Sequence, residues 1–245
     1  MNLLKTKSFE LAIYAQGDEH ASKLAIVIPG RLDTKDYVHI KSHVDYLAGK
    51  GFYALSFDPP GTWDSPGGIE LYTVTNTLKA IGEIIEHFGN LPTVLVGHSR
   101  GGSNAMLAGM SNPYVTQVAA IMSPTGPTTV DLPDGKTAHH TTRDLPPGVV
   151  HTTERKQFAL PYAYFEDQLR YDALPGLKTC RKSTLFFYGA QDKLVSKENV
   201  ERAYAAAAGP KKIHALNSEH DYRLHPKIID EVNQTIGSFL DRTNG

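Results

Sequence analysis

Thr93-Val94-Leu95-Val96-Gly97-His98-Ser99-Arg100-Gly101-Gly102 is the stretch from which the rest of the chain can be read. Its first four residues are β-branched or apolar on both faces, as in a strand buried within a parallel sheet. The small apolar run Arg100–Met110 follows and reads as a helix. Between them stands Gly-x-Ser-x-Gly, in the strand–turn–helix setting that a nucleophile elbow requires. The turn is so tight that a Cβ at the flanking glycines would clash, and the serine is held in a strained conformation. The helix that follows aims its first N–H groups and its dipole at developing negative charge.

Working outward, the same buried-strand pattern recurs at Leu24–Ile28, Tyr53–Phe57, Val118–Met122 and Thr184–Tyr188, and more weakly at Ile213–Leu216. Phe9–Tyr14 alternates and reads as an antiparallel edge strand. Helical spacing is expected over Asp36–Lys50, Glu70–Phe88, Lys197–Ala208 and Lys227–Arg242. Strand and helix in regular alternation predict an α/β domain, 1–245, with a mostly parallel central sheet and helices on both faces. One segment breaks the rhythm. Residues 124–178 are rich in proline, threonine and charge, and so long a loop without structure is unusual in a compact domain. They are expected to form a small cap inserted in the domain. In it Asp134-Gly135 signals a hairpin between Thr128–Leu132 and Lys136–Thr141, and Glu154–Tyr171 is expected to be helical.

Composition excludes several classes. The 245 residues are 40% hydrophobic and 21% charged, with net charge −1, so nothing favours a nucleic acid or an anionic membrane as partner. A single cysteine, Cys180, cannot make an internal disulfide, which suits a reducing, cytoplasmic setting. Met1–Ala15 lacks the apolar core of a signal peptide. No run approaches a membrane span.

A serine hydroxyl needs a base, and the base an acid to orient it. Strand Thr184–Tyr188 runs into Gly189-Ala190-Gln191-Asp192, and strand Ile213–Leu216 into Asn217-Ser218-Glu219-His220. The order Ser99, Asp192, His220, each after its own strand, is the order this arrangement uses. Among 11 histidines the rivals are His98 inside the elbow, His214 on a strand and His225 five residues on; Asp221 adjoins His220 too closely to orient it. His139-His140 would point to opposite faces of a strand, so neither a metal nor another cofactor is expected. The oxyanion hole needs two backbone N–H groups. Arg100 supplies one, and Arg31, in the loop Pro29-Gly30-Arg31-Leu32 after the first buried strand, supplies the other, with Leu32 as second choice.

With these parts in place the chain resembles the α/β-hydrolase superfamily over nearly its whole length. Within it the chain is similar to the serine-aminopeptidase-like and monoglyceride-lipase-like group and to small bacterial cinnamoyl (feruloyl) esterases. The resemblance is carried by Asp58-Pro59-Pro60-Gly61-Thr62-Trp63-Asp64-Ser65, close to the family turn Asp-x-x-Gly-x-Gly-x-Ser, and by Gly189-Ala190-Gln191-Asp192-Lys193-Leu194-Val195, close to Gly-x-x-Asp-x-x-Val. It departs at Pro29, where the family has His before Gly, and at Trp63, where the family has its second glycine. The resemblance implies a serine esterase acting on small soluble esters with a short or aromatic acyl group. Gly30, Leu32, His98, Tyr162 and Phe165 are expected at the substrate. The alternatives are a non-catalytic ligand-binding member of the fold, or a peptidase or amidase. A homodimer is left open.

Overall fold

The structure, a computed structural model, describes residues 2–127 and 137–243. Eight strands form one sheet: β1 (Asn2–Lys5), β2 (Glu10–Gln16), β3 (Leu24–Ile28), β4 (Tyr53–Phe57), β5 (Thr93–His98), β6 (Val115–Ile121), β9 (Ser183–Gly189) and β10 (Lys211–Leu216). Their order is β1-β2-β4-β3-β5-β6-β9-β10. β1 and β2 pair antiparallel, as do β2 and β4; every later pairing is parallel. The alternating segment expected at the edge is β2, but β1 covers it, because the four residues Asn2–Lys5 are too short for alternation to be read.

Alternation along the central strands sends side chains to two apolar layers. Leu24, Ile26, Ile28 and Leu95 pack with α2 (Val74–His87), α3 (Arg100–Ser111) and α6 (Lys197–Ala206). Ala25, Val27, Val94 and Val96 pack with α1 (Val38–Gly49) and α7 (Pro226–Thr243) on the other face. Each fully buried Leu, Ile or Val among them contributes roughly 1.5–3 kcal/mol relative to exposure. Among the described residues no helix is long and apolar enough to cross a membrane.

Helix α2 starts at Val74, later than the apolar spacing from Glu70 suggests. Thr73 is extended and its side chain accepts from Asn76 N–H, so it caps a new helix, while Ile69–Leu71 form a separate 3-10 turn. A third apolar group gathers Leu32, Tyr72, Phe158, Leu160, Tyr164 and Phe165. It lies under a separate antiparallel pair, β7 (Ala138–Asp144) and β8 (Arg155–Pro161), followed by α4 (Tyr162–Gln168). Half of the expected helix Glu154–Tyr171 is therefore strand: Phe158 and Leu160 are buried between exposed neighbours, a period of two, and Pro161 starts the helix. The partner of β7 is β8; Thr128–Leu132 and Asp134-Gly135 lie outside the described residues. Ala173 and Leu177 of α5 (Ala173–Leu177) rejoin the main core beside α3 and α6.

Candidate active site

Strand β5 ends at His98 and α3 begins at Arg100, leaving Ser99 as the single joint between them. Ser99 has φ 52° and ψ −123°, a positive φ that costs a non-glycine residue of order 1–3 kcal/mol. Its N–H is fixed by Ile121 O at 2.8 Å, and its own carbonyl accepts from Gly102 N–H at 3.0 Å. The glycines are steric necessities. A Cβ on Gly101 would run into the carbonyls of Ile28 and Pro29, and one on Gly97 into the backbone of Gly101 and Gly102. The first contact matters most, because it lets the elbow sit directly against the loop that follows β3.

His220 Nε2 lies 2.9 Å from Ser99 Oγ, and its Nδ1 lies 2.7 Å from Asp192 Oδ2. The other Asp192 oxygen accepts from the N–H groups of Leu194 at 2.8 Å and Val195 at 2.9 Å. Burial alone would raise the Asp192 carboxyl; the hydrogen bond and charge of His220, with those two amides, outweigh it and hold it below the usual value. The two loops are stitched together: Ala190 N–H donates to Leu216 O and Gln191 N–H to Ser218 O. The rival residues have other partners. His225 pairs with Glu219 and His214 with Glu231, while His98 Nε2 lies 3.0 Å from the His220 carbonyl and Asp221 faces Arg223 at 3.9 Å.

The loop after β3 is held from several sides. Gly30 O accepts from Asp33 N–H at 3.1 Å. Carbonyl and N–H point in opposite directions across a trans peptide, so Arg31 N–H is turned away from that bond. Arg31 O accepts from Arg143 Nε and Nη2 at 2.9 and 2.7 Å. Leu32 is left-handed (φ 60°); its N–H donates to Tyr72 Oη at 3.0 Å and its carbonyl accepts from Trp63 Nε1 at 2.9 Å. The Leu32 amide is thus engaged, which leaves Arg31 as the donor available in this loop. Below it, Asp58 accepts from Thr34 Oγ1 and from the N–H groups of Lys35 and Asp64.

A cleft of about 270 Å³ opens on Ser99. Arg31, Arg100 and His98 line it, as expected for the elbow and its facing loop. The other expected contacts are not there. Tyr162 is 51% exposed at the start of α4, and Phe165 and Leu32 are packed into the third apolar group. Gly30 is walled in by Asp33 and His98. The cleft is lined instead by charge: Asp33, Asp144, Asp221, Arg143, Arg155 and Arg223. No sequence motif marks these residues. They come from three separate segments, and only the pairing of β7 with β8 brings Arg143, Asp144 and Arg155 to the mouth.

Behind the cleft, Asp33, His39 and His98 bring one donor atom each within 4.8 Å of one another, the one group of metal-ligand type found among the described residues. Arg143 Nε stands 3.4 Å from Asp33 Oδ1. Burial would raise the Asp33 carboxyl, but His98 and Arg143 bring it down to about 2. That carboxylate already has a cation, and a metal ion there would sit against a guanidinium.

A model of the alpha/beta hydrolase family matches residues 25–231. No curated protein sequence matches the chain. Among solved structures, Est1E from Butyrivibrio proteoclasticus, determined with ferulic acid bound, is similar at 18% identity and TM-score 0.76, covering 98% of this chain and 100% of its own. Alpha/beta hydrolase domain-containing protein 10 from mouse is similar at 18% identity and TM-score 0.77, covering 99% and 98%. The esterase domain of a Rhodothermus marinus protein is similar at 19% identity and TM-score 0.72, covering 98% and 97%. At such identities the likeness is one of fold.

Proposed function

The chain belongs to the alpha/beta hydrolase family, and from that premise we propose that it is a serine hydrolase cleaving small, soluble carboxylic esters through an acyl-enzyme. The observation that carries this reading is the continuous line Ser99 Oγ–His220 Nε2–Asp192 Oδ2, with separations of 2.9 and 2.7 Å.

His220 Nε2 takes the proton of Ser99 as Oγ attacks the ester carbonyl. The carbonyl oxygen becomes an oxyanion, held by the N–H groups of Arg31 and Arg100. Asp192 keeps the Nδ1 proton in place and stabilises the imidazolium. The carbon–oxygen bond to the alcohol then breaks, and His220 returns the proton to the leaving oxygen. Water repeats the sequence on the acyl-enzyme, releasing the acid and restoring Ser99. Residues 124–178 act as a cap within the one hydrolase domain, since Arg143, Asp144 and Arg155 all come from that segment and line the cleft.

Hydrolysis of a short-chain p-nitrophenyl ester by the wild type, with loss of nearly all turnover in Ser99→Ala at unchanged thermal stability, is the expected result. Covalent labelling of Ser99 by a fluorophosphonate is the second readout. Turnover retained in Ser99→Ala would remove the assignment, and ligand binding without labelling would favour a non-catalytic member of the fold.

A further inference from the structure

The cleft is unusual for an esterase of small apolar groups in what it lacks. Among the described residues lining it there is no Phe, Tyr or Trp, and only Pro124, Leu194 and Val195 are apolar. Five arginines face three aspartates across it.

Most of that charge is spent within the protein. Arg143 is committed to the Arg31 carbonyl and to Asp33. Arg223 is buried and gives its guanidinium to Asp144 and to the carbonyl of Gly148. Asp144 also takes Arg155 Nε at 3.3 Å, so one carboxylate serves two guanidiniums; against burial, its hydrogen bonds with His151, Arg223 and the Thr152 N–H and the charge of Arg223 bring its carboxyl down to about 2. Arg100 donates to Gln168 Oε1 at 2.8 Å. Arg31 differs. Its guanidinium has no hydrogen bond or ion pair with any other described residue, yet it is only partly exposed and lines the cleft. A guanidinium presents a planar fork of donors that matches a carboxylate with two parallel bonds.

We infer that the substrate of the Ser99 centre is a small ester carrying a second, free carboxylate, and that the Arg31 side chain binds it. This rests on the reading of Ser99 as nucleophile. The position of Arg31 limits the size of the substrate. Its backbone N–H faces the developing oxyanion, so its side chain starts one residue from the reacting carbonyl and reaches a carboxylate only a few bonds away. Arg155, whose side chain is 40% exposed and meets Asp144 through Nε, adds positive charge at the same mouth.

The test uses the full chain and two matched pairs of esters followed by proton release. Monomethyl succinate against methyl butyrate places the charge on the acyl side; 4-acetoxybenzoate against its methyl ester places it on the alcohol side. In one pair or the other, kcat/KM for the anion should exceed that for its neutral partner by roughly tenfold or more, the worth of a charged hydrogen-bonded pair. The advantage should shrink with added sodium chloride while the neutral ester is indifferent to it. Arg31→Met should bring the ratio towards one, and Arg31→Lys should keep part of it. Should Arg31→Met fail to fold, the salt dependence of the wild type still decides. A Ser99 that labels with fluorophosphonate and cleaves the neutral esters equally well or better in both pairs overturns this inference alone. Absence of both labelling and hydrolysis overturns the serine-hydrolase reading and the inference with it.

Discussion

His98 Nε2 lies 3.0 Å from the backbone carbonyl oxygen of His220. A carbonyl can only accept, so this nitrogen carries a proton, and the residue just before Ser99 holds the backbone of His220, the base of the proposed mechanism. The two rings lie 4.8 Å apart, centre to centre. On the other side His98 Nδ1 faces Asp33 Oδ2 at 3.8 Å. His98→Leu should therefore loosen His220 and lower kcat by about tenfold, the cost of one charge-assisted or well-aligned hydrogen bond, with a smaller change in KM. His98→Gln, whose side-chain amide can donate from a similar place, should recover much of the loss. Steady-state kinetics on a neutral ester with melting curves for all three proteins check this. Equal loss in both variants would mean that ring packing, not the hydrogen bond, is what matters.

The loop facing Ser99 depends on two aromatic side chains remote in sequence. Leu32 has φ 60°, which an ordinary residue avoids, and its peptide is pinned by Tyr72 on one side and Trp63 on the other. Tyr72→Phe removes one hydrogen bond without removing the ring that stacks on Tyr164 at 5.1 Å. A net loss of about 1 kcal/mol in the alignment of the Arg31 N–H predicts a roughly fivefold fall in kcat with KM little changed. A fall in KM-dependent binding alone, with kcat intact, would count against the part given to this loop.

Much of this arrangement is legible in the chain and some of it is not. The parallel strands and the positions of Ser99, Asp192 and His220 follow from local signals: apolar runs, two of them ended by glycine, each with a reactive residue at or a few residues beyond the strand end. The charged cleft is not local. Arg143 and Arg155 are ordinary charged residues until β7 pairs with β8, and that pairing is hard to read because Arg155–Pro161 buries only Phe158 and Leu160. Tyr162 and Phe165 fit the look of a pocket by composition, yet Phe165 is needed to fill the space beneath the pair. Trp63 is the reverse case. Read as the loss of a family glycine, it sits at φ 48° and uses its indole N–H to hold Leu32.

Asp58 ties the loop of Thr34 and Lys35 to the turn ending at Ser65. Its side chain is fully buried, and the Lys35 side chain, 5% exposed, brings Nζ to 3.1 Å from it and to 2.6 and 2.8 Å from the more exposed Asp36 and Asp64. Removing one partner of a buried pair leaves an uncompensated charge, worth about 3–5 kcal/mol. Lys35→Met should therefore destabilise the protein by about 3 kcal/mol in urea unfolding, the lower end because Asp58 keeps the Thr34 hydroxyl and two backbone amides. Adding Asp58→Asn should return part of that stability. A double variant less stable than the single one would show that the carboxylate, not the pair, is what the fold needs.

The histidines behind the site set a pH dependence of stability. His43 is buried, with Nδ1 2.6 Å from Asn233 Oδ1 and Nε2 2.7 Å from Tyr222 Oη. Burial lowers it from 6.5 to about 4, against the Asn233 hydrogen bond, which raises it. His39, ringed by His98, His43 and Tyr222, is lowered well below 6.5 by burial and by its histidine neighbours. Between those values the unfolded chain binds protons that the folded chain refuses, so stability is complete above pH 6.5 and falls as the pH drops towards 4. His43 alone should cost about 2 kcal/mol at around pH 5 relative to pH 7.5, and His39 adds to it with the same sign. Asp33 and Asp144, both lowered to about 2, lose their contribution only below the usual carboxylate value of 3.8, outside that window. Urea midpoints at the two pH values should differ accordingly, and His39→Leu should make the difference smaller. A stability that is flat between pH 7.5 and 5 would mean that these rings are protonated in the folded protein as readily as in the unfolded chain.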